Sequence, residues 1–294
     1  VALWLPQSLK SKPPVTYRSV TFEELNRHCE QTMAALSSVG IVKGMHVAVM
    51  VKPGLDFFGL TFALFQLGAL PVLIDPGIGL RALKSCLAEA KPEAFIGIPP
   101  AHAARIVLGW AKSTVRLTIS VGRKGFWAQH SLQQLIKKTH AHQPPHTRIE
   151  PSDKAAILFT SGSTGIPKGV IYKHSNFAAQ VRMIRSLYQI EPGEIDLPTF
   201  PLFALFSPAL GTTSIIPPMD FTRPASVDPA VLADAIEQHG ANTMFGSPAL
   251  LNTFSRWCAR ERRVFPEFKR IISAGAPVPA AVLERMRLAV PETA

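Results

Sequence analysis

The amino-acid sequence predicts an α/β protein built from mostly parallel sheets with helices on both faces. Three observations carry this. The runs His46-Val47-Ala48-Val49-Met50-Val51, Ala94-Phe95-Ile96-Gly97-Ile98 and Ala155-Ala156-Ile157-Leu158-Phe159 are short and apolar, as strands buried on both sides are. Helical patterns alternate with such runs along the chain. Several runs end in glycine-rich loops, where open α/β sheets bind ligands. A chain of 294 residues with 47% hydrophobic content has ample length for a packed core. It is expected to divide into one α/β subdomain over 1–150 and a second over 151–294.

The elements follow in order. Residues 23–39 read as a helix with apolar Leu25, Met33 and Leu36, stopped by Gly40; Thr21 is its N-cap and Glu24 the capping-box partner. Residues 46–51 form a strand. The segment 57–74 has 18 residues without a formal charge and so mimics a membrane span. Gln66, Gly68 and Pro71 interrupt it and Asp56 and Asp75 bracket it, so it reads as a buried helix, a glycine turn and a buried strand. Residues 81–90 read as a helix and 94–98 as a strand. From 122 to 152 the chain turns polar, with Lys137-Lys138, Pro144-Pro145 and Pro151, and reads as a surface connector. It carries His140, His142 and His146, but no acidic or thiolate ligand sits alongside, which favours solvated histidines over a metal site. Beyond the strand at 155–159, residues 177–188 read as a helix, 197–203 as a proline-broken extended stretch and 229–239 as a helix. Residues 243–245 read as a strand opening into Gly246-Ser247-Pro248, and 270–273 as a last strand ending at Ala274-Gly275.

The net charge of +11 is compatible with nucleic acid, an anionic membrane or an anionic small substrate. Basic residues are scattered apart from Arg260-Glu261-Arg262-Arg263 and Arg256, whose helical spacing reads as a solvated face. No zinc-finger spacing, basic zipper or aromatic RNA-binding motif is present, so nucleic acid is not the expected partner. Cys29, Cys86 and Cys258 are odd in number and far apart, which fits a reducing cytoplasm and neither a disulfide framework nor a zinc site.

The strand at 155–159 feeds Thr160-Ser161-Gly162-Ser163-Thr164-Gly165-Ile166-Pro167-Lys168-Gly169. Glycines let backbone N–H groups approach an anion, hydroxyls donate hydrogen bonds or ligate a metal, and lysine supplies a point charge. This is a phosphate cradle in outline. It is not a P-loop, because Pro167 stands five residues after Gly162 and Gly169 follows Lys168. Nor is it a nucleophile elbow, because Ser161 stands two residues before Ser163.

The order of those ten residues resembles the signature loop of the adenylate-forming superfamily: acyl-CoA synthetases, peptide-synthetase adenylation domains and luciferases. Further segments resemble the same family in the expected order. They are Tyr17-Arg18-Ser19-Val20-Thr21-Phe22-Glu23-Glu24-Leu25, the run from Phe62 to Asp75-Pro76, Val170 with His174-Ser175-Asn176, Pro201-Leu202-Phe203, and Ser273-Ala274-Gly275-Ala276-Pro277. The resemblance implies the N-terminal domain of the acyl-CoA synthetase-like fold. It also implies attack of a carboxylate on the α-phosphate of ATP, giving acyl-AMP and pyrophosphate, with ATP and Mg²⁺ as cofactors.

By this resemblance Thr160, Ser161, Gly162, Ser163, Thr164 and Gly165 hold the β- and γ-phosphates with Lys168 nearby, and Thr160 ligates Mg²⁺. Lys168 and Thr160 are thus the expected catalytic residues. Ser273, Ala274, Gly275, Ala276 and Pro277 are expected near the adenine, and Phe203, Ala204, Phe206, Leu210, Phe245 and Gly246 around the acyl group. Many fatty acyl-CoA ligases read P-L-F-H where this chain reads Pro201-Leu202-Phe203-Ala204. Ala204 either opens space beside the reacting carboxylate for a branched acid or repacks a core wall.

The run Pro201-Leu202-Phe203-Ala204-Leu205-Phe206-Ser207-Pro208-Ala209-Leu210-Gly211 most resembles the β-lactone synthetases of long-chain olefin biosynthesis. These imply a 2-alkyl-3-hydroxy acid substrate and no coenzyme A. A long-chain fatty acid-CoA ligase, using coenzyme A, and a non-catalytic scaffold on the same fold are the other readings. Assembly with other enzymes of the route and peripheral membrane contact stay open. The family's Y-G-x-T-E motif, ribose-binding aspartate and mobile C-terminal domain with its lysine do not occur before Ala294, so a longer enzyme is expected.

Overall fold

A computed structural model of the chain describes residues 1–8, 12–123, 125–139, 146–160 and 167–291. The chain opens with β1 (Leu3–Pro6), β2 (Tyr17–Val20), α1 (Phe22–Ser38), β3 (His46–Met50), α2 (Leu55–Leu67) and β4 (Leu70–Leu73). It continues through α3 (Leu80–Ala90), β5 (Ala94–Gly97), α4 (Pro99–Leu108), β6 (Leu117–Ser120), β7 (His130–Ser131), α5 (Leu132–Thr139), β8 (Lys154–Thr160) and β9 (Lys168–Lys173). Next come α6 (His174–Tyr188), β10 (Ile195–Pro198), α7 (Pro201–Ala204), α8 (Ser207–Leu210) and β11 (Thr213–Ile215). The last are α9 (Pro229–His239), β12 (Thr243–Phe245), α10 (Pro248–Glu261), β13 (Arg270–Ile272) and α11 (Ala280–Ala289).

Packing divides the chain into two compact units, 23–180 and 1–22 with 181–294. The first holds a sheet in the order β7-β6-β5-β3-β4-β8-β9, parallel throughout except for the antiparallel β8–β9 pair. The second holds the order β13-β12-β10-β11-β1-β2, parallel except for β1–β2. The α/β class expected from sequence is therefore observed. The units do not follow the expected division at 150/151. β8 comes after the polar connector yet pairs with β4, and the first 22 residues supply two strands to the sheet formed by the C-terminal part.

The charge-free run at 57–74 is α2, a turn at Gly68 and β4. α2 buries Phe57, Phe58, Leu60, Thr61, Ala63, Leu64 and Leu67, so it is a core helix apolar around most of its girth. No helix among the described residues is long and apolar enough to cross a membrane. Gly68 is required twice over. Its φ is 69°, and a Cβ there would meet Ile149 Cδ1 and Lys43 Cγ at 2.8 Å.

Within this unit α3 packs Leu83, Cys86, Leu87 and Ala90 against Ala48, Val72, Phe95, Ile157 and Phe159 of the sheet. In the other unit α9, α10 and α11 bury Leu232, Ile236, Leu250, Phe254, Val282 and Met286 against Leu197 and Met244. Full burial of a side chain such as Phe254 contributes about 2–3 kcal/mol.

α9 and β12 fall on the residues expected. The reason is visible in the chain: Asp228 accepts from Ala230 N–H at 3.0 Å, Pro229 sits in the first turn, and Gly240 closes the helix at φ 66°. Two expectations need correction. The connector at 122–152 contains β7 and α5, because Leu132 and Leu135 supply a buried stripe that the lysines mask. The stretch 197–203 is extended only as far as Pro198; Pro201 then starts a helix, since a first-turn residue needs no N–H partner. His140, His142 and the chain end at 292–294 lie outside the described residues.

Candidate active site

The phosphate-cradle residues belong to the unit 23–180. β8 delivers Thr160 at its C-terminal end, paired in register with Lys168 at the start of β9. Ser161, Gly162, Ser163, Thr164 and Gly165 lie outside the described residues, and the Thr160 side chain is likewise not described. β8 itself is anchored by burial of Ala155, Ala156, Ile157 and Phe159. Lys168 is exposed, and no ion pair or hydrogen bond joins its side chain to another described residue.

Beyond β9 the expected His174 and Asn176 brace the start of α6. Asn176 Oδ1 accepts from Lys173 N–H at 2.8 Å, and the His174 ring meets Phe65 edge-on at 5.9 Å. Burial holds the His174 pKa below the usual imidazole range.

The expected acyl and adenine residues belong to the other unit. Parallel pairing aligns Pro198 with Phe245 and Phe245 with Ile272, so three strand C-termini lie side by side. Phe203 and Phe245 meet at 4.2 Å between ring centroids, and Phe200 joins them at 5.4 Å and 6.4 Å. Ala204 and Leu210 are buried, Gly246 is buried, and Phe203 is partly open to solvent. Phe206 leads into α8.

The segment expected near the adenine starts where β13 ends. Ala274, Gly275, Ala276 and Pro277 are exposed, and Gly275 has φ 97°. The Ser273 hydroxyl is buried and has no hydrogen-bond partner among the described residues. An orphaned hydroxyl costs about 1–3 kcal/mol unless water or a ligand pairs with it.

Three supports were not legible as site residues. Thr199 donates both its N–H and its hydroxyl to Phe245 O, at 3.1 and 2.7 Å, and so clamps β10 to β12. Arg185 donates to the carbonyls of Ala209 and Leu210 at 3.3 and 2.9 Å and closes the end of α8. Phe200 extends the aromatic cluster. Only Phe200 had a signal, its place one residue before Pro201.

The opposite ends of the same strands are buried and polar. Glu194 takes a forked contact from the Arg270 guanidinium, whose Nη2 lies 3.0 Å from Oε1. Burial opposes the Glu194 charge, but Arg270 outweighs it and holds the carboxyl below its usual range. Asp196 accepts from the Thr243 hydroxyl at 2.8 Å, and burial pushes its pKa up to about 6.

Glycine-rich loops at the C-terminal ends of parallel strands place the chain among open α/β proteins that bind ligands there. The chain belongs to the AMP-binding enzyme family, whose model matches residues 7–294. It is 50% identical over 276 residues to an olefin β-lactone synthetase of Stenotrophomonas maltophilia, covering 94% of this chain and 49% of that protein. Identity is 45% to an olefin β-lactone synthetase of Xanthomonas campestris, with the same coverage. The chain thus spans about half the length of the curated relatives it matches. Its fold is that of a long-chain-fatty-acid-CoA ligase from Archaeoglobus fulgidus, with a TM-score of 0.82 at 21% identity over 98% of this chain and 57% of that one.

Proposed function

We propose that the chain supplies the phosphate, adenine and acyl sites of an ATP-dependent β-lactone synthetase. The observation that carries this is the 50% identity to an olefin β-lactone synthetase over 94% of the chain. In the first step a substrate carboxylate oxygen bonds to the α-phosphorus of ATP and pyrophosphate leaves. In the second the substrate's 3-hydroxyl oxygen bonds to the acyl carbon, its proton passes to solvent, the bond to AMP breaks so that AMP leaves, and a four-membered lactone forms. No coenzyme A takes part.

The donor set suits these anions. Thr160, Ser161, Gly162, Ser163, Thr164 and Gly165 offer hydroxyls and unhindered amides for the β- and γ-phosphates, with Lys168 as the neutralising charge. A threonine hydroxyl such as that of Thr160 is a ligand type that Mg²⁺ accepts, and bound Mg²⁺ would neutralise phosphate charge. The orphaned Ser273 hydroxyl and the exposed Ala274, Gly275, Ala276 and Pro277 would receive the adenine. Phe203, Ala204, Phe206, Leu210, Phe245 and Gly246 would line the acyl site, with the methyl of Ala204 leaving room for the 2-alkyl branch.

Three buried free thiols support a cytoplasmic setting. A doubly long-chained acid also supports peripheral contact with a lipid surface. Phe126, 93% exposed, is the most exposed large apolar side chain among the described residues and is a first place to look for it.

The test uses full-length protein with ATP, Mg²⁺ and a 2-alkyl-3-hydroxy acid, without coenzyme A. Catalytic AMP release with lactone formation is expected, and strict dependence on coenzyme A would overturn the reading in favour of an acyl-CoA ligase. In the same assay Lys168→Ala should cut pyrophosphate release by roughly a hundredfold or more, the scale of a lost transition-state charge contact, with the melting temperature unchanged. Equal release in variant and wild type would remove Lys168 from the mechanism.

A further inference from the structure

We propose that Glu89 is a positioning residue for ATP binding: it pins the exit of the phosphate loop and thereby sets where Lys168 stands. The proposal rests on the phosphate reading of that loop. Gly169 directly follows Lys168, and its N–H donates to Glu89 Oε1 at 3.2 Å across 80 residues of sequence. Glu89 lies in the last turn of α3, and α3 is fixed to the sheet by buried Leu83, Cys86, Leu87 and Ala90. The carboxylate is therefore mounted on a rigid support.

The fit at Gly169 is close. A Cβ there would stand 3.1 Å from Glu89 Oε1 and 3.1 Å from the Phe159 ring, whose own residue is the register partner of Gly169. Glycine thus lets the backbone approach both Phe159 and the carboxylate. The opening residues of β9 are held from two sides, by the β8 ladder and by α3. The Lys168 side chain has no comparable tie of its own among the described residues, so its backbone is the part the fold can position.

A carboxylate beside a phosphate site is also a cost, because its charge opposes ATP. Retaining it is understandable if the hydrogen bond to Gly169 orders the loop exit. Glu89 is exposed, so replacing it leaves the core intact.

The experiment compares Glu89→Ala and Glu89→Gln in the full-length protein. Glu89→Ala should raise the KM for ATP about fivefold, the scale of one lost hydrogen bond, with kcat within twofold and the melting temperature unchanged. Glu89→Gln keeps an acceptor for Gly169 N–H and removes the opposing charge, so its KM should stand at or below the wild-type value. Amide hydrogen exchange of ligand-free protein gives a readout independent of activity: the Gly169 amide should exchange faster in Glu89→Ala only. Unchanged exchange at Gly169, or an unchanged KM in an active enzyme, overturns the proposal. A wild type that neither binds ATP nor releases pyrophosphate, with faster exchange in Glu89→Ala, sinks the phosphate reading while leaving the pin itself in place.

Discussion

At the N-terminal ends of β10, β12 and β13, buried charged and polar groups are paired with one another: Glu194 with Arg270, Asp196 with Thr243. At the C-terminal ends of the same strands, the Ser273 hydroxyl is buried without a partner among the described residues, beside the exposed residues 274–277. Both ends share one sheet and one core, so the difference is not one of solvent access alone. The charged groups of the first end pair with one another, although the Ser214 hydroxyl on β11, the register partner of Asp196, is buried without a partner among the described residues. The other end leaves a donor unsatisfied, at a cost to folding that a ligand can offset.

Three substitutions would break or sharpen this contrast. The largest effect is expected at the paired end. Glu194→Ala leaves the Arg270 guanidinium, 12% exposed, without its carboxylate, and should destabilise the protein by about 3–5 kcal/mol in urea unfolding. A loss below about 1 kcal/mol would erase the distinction between the ends.

Asp196→Asn should act in the opposite direction. The folded pKa of about 6 lies above the ordinary value of 3.8, so the native state binds the proton more tightly than the unfolded chain. The stabilisation this gives is complete below about pH 4 and is lost as pH rises through about 6. The replacement amide carries no charge and can still accept from Thr243. The variant should therefore gain up to about 3 kcal/mol over wild type at pH 7–8, with the gain shrinking to nothing near pH 4. A gain independent of pH would show that burial of the charge is not the cause.

The smallest effect on stability belongs to the open end. Ser273→Ala removes an orphaned hydroxyl and should leave stability unchanged or raise it by up to about 1 kcal/mol, while weakening ATP binding severalfold. Lowered stability in thermal melts would mean that the hydroxyl already has a partner and that the two ends are alike.

The legible parts of the fold were those with local chemistry. α9 is bounded by Asp228-Pro229 and Gly240, and β12 opens into the Ser247-Pro248 cap of α10, so both could be placed to the residue. α5 was hidden because its exposed lysines and glutamines outnumber its two buried leucines. α7 was misread because Pro201 can end an extended stretch or begin a helix, and only the tertiary setting decides. In the candidate site, Lys168 and Ser273 were proposed because they stand in ordered motifs. Thr199, Arg185 and Glu89 did not, since they act by reaching backbone atoms tens of residues away, a pairing that no spacing in the chain records.

β9 ends the seven-stranded sheet and is mostly exposed, with Val170 and Ile171 open to solvent. Beyond the Gly169 N–H that Glu89 takes, an exposed apolar outer strand is a template on which another chain can add a strand of its own. This one carries a lysine at each end, Lys168 and Lys173, and two like charges discourage such stacking between molecules. Neutralising Lys168 should thus remove a guard against self-association as well as the proposed phosphate contact, and the two losses separate cleanly: the first grows with protein concentration, the second does not.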